Sequence, residues 1–356
     1  MNTKTLLILS VVFMITFSLS GCLGDDEAVA STSSEALGLT LEFQPGAPPD
    51  QISEDDISFD ISVKLENSGE YDLAEYYEDD TTGETVGDLV SVFLLGVNPA
   101  TLGLCEETDE GTVCHTEQPY IEGLSGAHYV NSELIPGQVN YINWYQASGE
   151  SPEYGLDITS DQTLNFVAQL CYPYKTITTA EACFSDNAYA QATGAETCVV
   201  SGEKEPVNSM APIQITKIVE NPAGRDGQGV GKYAFTFTIE NLGGGTVFPY
   251  TKSVHDCTSL GVADLNANQV AVTSVSVGGE DKINCLRKIG VDETSGEDIL
   301  APATITLVDG KGTFTCTLSQ GTVTGDYSDI IQVNMVYNYY TQTKKEIVVK
   351  NTLDFE

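Results

Sequence analysis

Two stretches of the chain share one pattern, which reads FDISVKLENSG at residues 59–69 and YAFTFTIENLG at residues 233–243. In both, apolar and polar residues alternate and then give way to Glu-Asn-x-Gly. Alternation with a period of two is typical of a strand that buries one face, and Asn-x-Gly supplies the backbone freedom of a turn. The pattern therefore predicts a strand and a turn in each half of the chain, at an offset of 174 residues.

Other correspondences extend this repeat along the chain. At the same offset, Leu39 and Leu41 fall on Ile213 and Ile215. Near the end of each half, residues 164–174 and 329–339 alternate at an offset of 165, and a further strand is predicted after each. The remaining predicted strands are 89–95, 138–145, 269–277, 303–308 and 312–318. About seven short strands per half predict an all-β fold of two tandem immunoglobulin-like β-sandwich domains.

The alternating strand, the Glu-Asn-x-Gly turn and a terminal Tyr-x-Tyr hairpin resemble the immunoglobulin-like, CARDB-type modules found in tandem on prokaryotic surface proteins, particularly archaeal ones. The resemblance covers most of the mature chain. It implies adhesion, scaffolding or ligand presentation, and it brings no catalytic residues to this sequence.

The first residues have the order of an export signal. Lys4 precedes an apolar run from Leu6 to Leu19, which is too short to span a bilayer comfortably, and Leu-Ser-Gly-Cys ends at Cys22. These residues resemble the lipobox of bacterial and archaeal lipoproteins, which implies cleavage before Cys22 and a lipid on its sulfur. An ordinary secretory signal or an uncleaved anchor are the alternatives, and both export the chain. The acidic, aperiodic residues that follow predict a disordered tether.

The predicted organisation has four parts. They are a signal peptide (1–21), a lipid-anchored tether (22–36), a first sandwich with long loops (37–205) and a second sandwich (206–356). We therefore expect an exported protein in the cell envelope, anchored to the membrane through a lipidated N-terminal cysteine.

Composition excludes one class of partner. The 356 residues include 15 Lys and Arg against 52 Asp and Glu, a formal net charge of −37. This charge repels nucleic acid phosphates and anionic lipid head groups, so nucleic acid binding is excluded. Acidity concentrated in the tether and loops suits solubility, high salt or divalent cations, and the sequence does not choose among them.

Eight cysteines remain when Cys22 is assigned to the lipid, and in an exported chain an even number predicts disulfides. Local spacing favours Cys105 with Cys114, Cys171 with Cys183 across a Thr-rich hairpin, and Cys285 with Cys316; Cys198 with Cys257 is left over. Five of these cysteines precede residue 205 and three follow it, so complete pairing requires a bridge across that boundary.

Candidate catalytic motifs are incomplete. The Gly-Leu-Ser-Gly-Ala sequence at 123–127 lacks the last glycine of a nucleophile elbow. Ser201 and Lys204 have the Ser-x-x-Lys spacing, but the nearby glycine and proline argue against a helix and favour an interdomain linker. The glycine-rich residues 227–232 fail to match a phosphate-binding loop. We therefore expect no catalytic site and no cofactor.

Two clusters are candidate metal sites. Cys105, Cys114 and His115 offer zinc ligands, although export favours the oxidised cysteine pair. An acidic loop offers oxygen ligands for calcium, with solvated surface as the alternative. The acidic residues are Glu70, Asp72, Glu75, Glu78, Asp79 and Asp80.

Aromatic residues are the remaining candidate contact surface. Alternation places Tyr141 and Tyr145 on one face of a predicted strand and Trp144 on the other, where we expect it to pack in the core. Tyr76 and Tyr77 are adjacent, so one of them should be exposed and available for contact.

The sequence thus predicts a non-catalytic binding, adhesion or structural role, with the membrane and an unknown surface protein or glycan as partners. One alternative is an envelope enzyme or solute-binding lipoprotein that uses the long loops of the first half. Another is a subunit of a surface layer or filament.

Overall fold

The computed structural model describes most of the chain from residue 38 to residue 351. The described ranges are 38–53, 58–78, 84–109, 111–186, 198–225, 231–258, 268–279, 283–285, 287–291, 298–301, 303–320 and 325–351. The predicted signal peptide, Cys22, the tether, Asp79 and Asp80 lie outside these ranges.

The described residues contain strands and two short 3₁₀ helices (Pro99–Leu102 and Val254–Thr258). The strands before residue 187 are β1 (Leu39–Phe43), β2 (Gln51–Ser53), β3 (Ile61–Asn67), β4 (Tyr77–Glu78), β5 (Thr85–Val86), β6 (Val90–Leu95), β7 (Cys105–Thr108), β8 (Gly111–Cys114), β9 (Glu117–Tyr120), β10 (His128–Val130), β11 (Glu133–Ile135), β12 (Val139–Trp144) and β13 (Gln162–Ser185). Those after residue 197 are β14 (Gly202–Lys204), β15 (Val207–Asn208), β16 (Ile213–Arg225), β17 (Gly231–Asn241), β18 (Thr246–Phe248), β19 (Gln269–Val277), β20 (Ile283–Asn284), β21 (Arg287–Val291), β22 (Asp298–Ala301), β23 (Ala303–Thr306), β24 (Lys311–Gln320) and β25 (Asp326–Lys350). The prediction of an all-β sandwich fold is confirmed.

Three sheets enclose the core. The largest has nine strands, with the main order β23-β19-β25-β13-β6-β9 and with β2, β15 and β18 paired at its sides. A three-stranded sheet (β1-β3-β12) and a five-stranded sheet (β14-β16-β17-β24-β20) contribute their inward side chains to the same buried cluster. Even-numbered side chains of β13 and odd-numbered side chains of β25 face this cluster, because successive residues of a strand point to opposite faces.

The two long strands are continuous. The sequence predicted breaks near Thr176 and Thr341, but β13 runs for 24 residues and β25 for 25, and they pair antiparallel along the whole of β13. Pro173 lies opposite Asn338, which is its equivalent at the offset of 165. On either side of this pair, Tyr172 lies opposite Tyr339 and Tyr174 lies opposite Tyr337, and the offset of 165 converts each of these two pairs into the other. The pairing is therefore symmetric about Pro173 and Asn338, as in an internal two-fold repeat.

Each long strand begins against its own half of the chain and ends against the other. The early part of β13 pairs with β6, whereas farther along the Thr176 hydroxyl donates to the Ile213 carbonyl (2.7 Å) and Phe184 packs edge-on against Tyr233. The described residues all belong to one compact unit. The division into separate domains at 37–205 and 206–356 stays a prediction.

The Asn-x-Gly turns lock these long strands to the smaller sheets. Asn67 is fully buried; its amide donates to the carbonyls of Tyr71 (2.7 Å) and Leu124 (3.0 Å). Its Oδ1 accepts hydrogen bonds from the Gly69 N–H (3.3 Å) and from the Tyr174 hydroxyl (3.2 Å). The asparagine thus serves as the link between a turn, a loop and the central sheet.

The second half repeats this arrangement at the equivalent positions. The Asn241 amide donates to the Gly245 carbonyl (2.9 Å), and its Oδ1 accepts from the Gly243 N–H (3.3 Å) and the Tyr339 hydroxyl (2.9 Å). Asn241 lies 174 residues after Asn67, and Tyr339 lies 165 residues after Tyr174, so both residues follow the two offsets found in the sequence. This shared hydrogen-bond pattern supports the predicted repeat.

Two of the four expected disulfides are correct. Cys105 bonds Cys114 across the β7–β8 hairpin, and Cys285 bonds Cys316. The expected bond between Cys171 and Cys183 is wrong because both lie on β13, where twelve residues of extended strand separate them by about 40 Å.

The remaining cysteines pair differently from expectation. Cys171 bonds Cys257, and Cys183 bonds Cys198. The required bridge across residue 205 therefore exists, but Cys171 supplies it in place of Cys198. Disulfides formed by all eight cysteines indicate an oxidising, extracellular environment.

Candidate functional site

The predicted calcium ligands do not converge in the described residues. A Glu70 carboxylate oxygen accepts from the Met210 N–H (3.1 Å), and an Asp72 oxygen accepts from the Gly126 N–H (2.7 Å). Glu75 and Glu78 are exposed. Within the described ranges, no three His, Cys, Asp or Glu side chains gather closely enough to hold a metal ion. Glu70 and Asp72 therefore fix loops, and a calcium site in this segment stays a prediction.

The zinc alternative at Cys105, Cys114 and His115 is wrong. Both cysteines are oxidised to a disulfide and provide no thiolate. His115 Nε2 instead lies 3.1 Å from a Glu106 carboxylate oxygen on the surface. This contact is exposed and contributes little to stability.

One Ser, His and Glu cluster joins the two halves of the chain. His255 Nδ1 makes a short contact with a Glu117 carboxylate oxygen and lies 3.5 Å from the Ser91 hydroxyl. In a catalytic triad the serine and the carboxylate contact opposite nitrogens of the imidazole ring. Because Ser91 and Glu117 meet the same nitrogen, this cluster does not have the geometry of a proton relay.

The predicted linker at residues 201–204 is instead part of a sheet. Lys204 lies in β14, which pairs with β16, and its ammonium is 3.1 Å from a carboxylate oxygen of Glu220. That oxygen also accepts from the Cys183 N–H (3.0 Å), while the second oxygen of Glu220 has no hydrogen-bond partner among the described residues. Burial raises the pKa of Glu220 to about 7, although the Cys183 N–H and Lys204 oppose this shift. The pair is enclosed, so it is a structural element of the fold.

The predictions for the aromatic residues are confirmed. Trp144 is fully buried and its indole N–H donates to the Thr116 carbonyl (2.9 Å). Tyr141 and Tyr145 are exposed on the opposite face of the same segment, because alternate residues of a strand point in opposite directions. Tyr77 is exposed, whereas Tyr76 packs against a small buried cluster on the outer face of the large sheet.

A different surface stands out by its exposed apolar side chains. Residues 128–135, hereafter the apolar hairpin, form β10, a two-residue turn and β11. Asn131 and Ser132 have positive φ angles of 50° and 66°, which is the geometry of a tight hairpin turn. Tyr129 and Leu134 are 55% and 45% exposed. Every residue of the hairpin is exposed, so neither of its faces is buried in the protein.

The exposed apolar surface continues along the chain beyond the hairpin. Val130 and Ile135 are exposed on its other face, and Val139 and Tyr141 follow on β12. Single exposed apolar residues are common on proteins, but several adjacent ones mark an interaction site. Sequence reasoning missed this segment, although two apolar doublets flank a polar Asn-Ser pair in HYVNSELI, which is a hairpin signal.

The described residues also include a cleft of about 390 Å³ beside β13. Lys175 and Ile177 line one side, and Glu70, Tyr71 and Asp72 line another. Ligand pockets are mainly apolar with a few converging polar groups. The carboxylates of Glu70 and Asp72 already bond backbone N–H groups, so this cleft is a weaker candidate than the apolar hairpin.

A scan of the sequence against protein-family models found no match, and a search of curated proteins found no significant similarity. Among the helices of the described residues, none has the length and apolar character needed to cross a membrane.

Proposed function

We propose that this protein is a lipid-anchored, cell-surface protein with a non-catalytic role, which binds a partner protein through the apolar hairpin. The observation that carries the proposal is the exposure of both faces of residues 128–135. Isolated two-stranded hairpins are marginal in water, and an apolar one gains stability when a partner covers it. The four disulfides and the resemblance to tandem surface modules agree with a role outside the cell.

Tyrosine at the hairpin suits protein contact. Its ring offers a large, rigid contact area at small entropic cost, and its hydroxyl tolerates water. Tyr129 and Tyr141 both expose more than half of their surface. A partner that covers them buries aromatic area, which dominates the energetics of many interfaces.

Photo-crosslinking on intact cells tests the binding role. A photoreactive phenylalanine analogue at Tyr129 should give a discrete adduct, because the hairpin contacts its partner. The matched control is the same analogue at Tyr250, which is 39% exposed and lies in another part of the chain. Equal adduct yields at the two positions, or none at either, would contradict a binding role for the hairpin.

Metabolic labelling tests the anchor separately. We expect a clickable lipid precursor to label the wild-type protein and a Cys22→Ala variant to remain unlabelled and to be released from the membrane. The reason is that Cys22 supplies the only sulfur that the lipobox resemblance assigns to the lipid. Unchanged labelling of Cys22→Ala would show that the anchor is absent or lies elsewhere.

A further inference from the structure

We propose that the apolar hairpin binds its partner by accepting a β-strand from a basic segment of that protein. The proposal rests on the binding role proposed above and adds the chemistry of the partner. It commits to one occupant, a strand in which apolar side chains alternate with lysine or arginine.

The backbone of the hairpin has groups free to pair with an added strand. Within the described residues, β10 and β11 pair only with each other. Val130 lies opposite Glu133 next to the turn, so this pair exchanges the closing hydrogen bonds. Tyr129 lies opposite Leu134 in the next pair, where the backbone N–H and C=O groups point outward in an antiparallel ladder. Each outer edge therefore presents a donor and an acceptor.

The side chains suit the same mode of binding. Tyr129 and Leu134 share one face of the hairpin, and Val130 and Ile135 share the other, since opposed residues point the same way. A third strand adds main-chain hydrogen bonds along an edge, and its alternate side chains contact the exposed apolar residues. Strand addition thus uses both exposed features of the hairpin together.

The charges around the hairpin select a basic partner. Glu133 lies within it, Asp72 bonds the backbone at its base, and Glu122 lies in the same connection between β9 and β10. All three are exposed, and none takes part in the salt bridges found among the described residues. The whole chain carries a formal charge of −37. A second copy or an anionic bilayer would be repelled, whereas a basic segment would be attracted.

Peptide titration against the full chain in mild detergent tests the proposal. The probes are a short peptide of alternating valine and lysine, the same peptide with glutamate in place of lysine, and the valine and lysine peptide with a central proline. We expect the first to bind, the glutamate peptide not to bind, and the proline peptide to bind at least about tenfold more weakly, because proline removes a ladder donor.

Variants at Leu134 distinguish strand addition from general attraction to an acidic surface. Leu134→Lys adds a charge that repels the basic peptide, and Leu134→Pro removes an outward N–H while it keeps an apolar side chain. Each should weaken binding by about tenfold or more. The matched control is Val308→Lys, at another apolar side chain that is 69% exposed, and it should change affinity by less than about twofold. Thermal unfolding of each variant verifies that it is folded.

Two results would overturn the proposal. If both Leu134 variants bind the valine and lysine peptide as tightly as wild type, the peptide is held elsewhere by charge alone. If wild type binds no basic peptide, or binds the glutamate peptide equally well, the partner is not a basic strand. In that second case, a photo-crosslinked adduct at Tyr129 on cells would still support the proposed binding role. The absence of this adduct would contradict both the binding role and the basic-strand partner.

Discussion

Replacing Asn67 with alanine is expected to lower the free energy of unfolding by about 4 kcal/mol. The change leaves the carbonyls of Tyr71 and Leu124 and the hydroxyl of Tyr174 without the partner that Asn67 supplies. Each buried polar group that loses its partner costs about 1–3 kcal/mol. Denaturant titration followed by tyrosine and tryptophan fluorescence measures the loss.

Two further variants, each of which loses fewer buried hydrogen bonds, provide a comparison for the destabilisation by Asn67→Ala. Asn241→Ala removes the equivalent asparagine, which has one fewer carbonyl acceptor and is half-buried, so it should cost about half as much. Tyr174→Phe removes only the hydroxyl that donates to Asn67, and it should cost about 1 kcal/mol. If Asn67→Ala destabilises no more than Tyr174→Phe, the asparagine does not link the turn to the central sheet.

The sequence predicted the strands with a clear period and missed the role of the turns that follow them. The alternation at residues 59–65 and 233–239 lies within β3 and β17, because each strand buries only one face. The following asparagines were expected to serve only a turn. Their bonds to Tyr174 and Tyr339 join residues about 100 positions apart in the chain, and no local pattern encodes such a contact.

The continuity of β13 illustrates a second limit. The alternation at residues 164–174 was expected to end near Thr176, with a Thr-rich hairpin after it. In the structure, β6 pairs no farther along β13 than Cys171, and β15 pairs only from Thr178. Among the described residues, one side of β13 is therefore unpaired at Pro173, where the donor that proline lacks is not needed. The disulfide pairings followed from this continuity, so the error over the strand produced the error over Cys171 and Cys183.

The candidate site was predictable only in part. The alternation correctly predicted that Tyr141 is exposed and that Trp144 is buried, because β12 has one face in the core. The apolar hairpin was missed because apolar residues are expected to be buried. In β10 and β11, however, the apolar side chains on both faces are exposed. A local conflict of this kind between residue type and burial is typical of functional surfaces.

Replacing Lys204 with methionine is expected to destabilise the protein by less than about 1 kcal/mol at pH 5, and by up to about 1.4 kcal/mol more at pH 8. At pH 8 the variant leaves the buried carboxylate of Glu220 without its cation. At pH 5 the carboxyl is protonated in the folded state, because its pKa is about 7 even with Lys204 present, so the cation is not needed. Denaturant titration of both proteins at the two pH values measures the difference.

The sign of the pH dependence follows from the direction of the pKa shift. The folded pKa of Glu220, about 7, lies above the unfolded value near 4.5, so between these values the folded state binds a proton that the unfolded state does not. The contribution of this group to stability is therefore present at low pH and is lost as the pH rises through 7. Lys204→Met raises the folded pKa of Glu220 further, so in the variant this loss continues above pH 7.

The matched control is Lys217→Met, which removes an exposed lysine that lies 2.8 Å from Glu203 and joins the same two strands, β14 and β16. Exposed ion pairs contribute little, so this variant should differ from wild type by less than about 0.5 kcal/mol at both pH values. Equal destabilisation by Lys204→Met at pH 5 and pH 8 would mean that the lysine acts through packing of its side chain and not through the charge of Glu220. The two variants together therefore separate the buried ion pair from the general effect of removing a cation from a chain with a charge of −37.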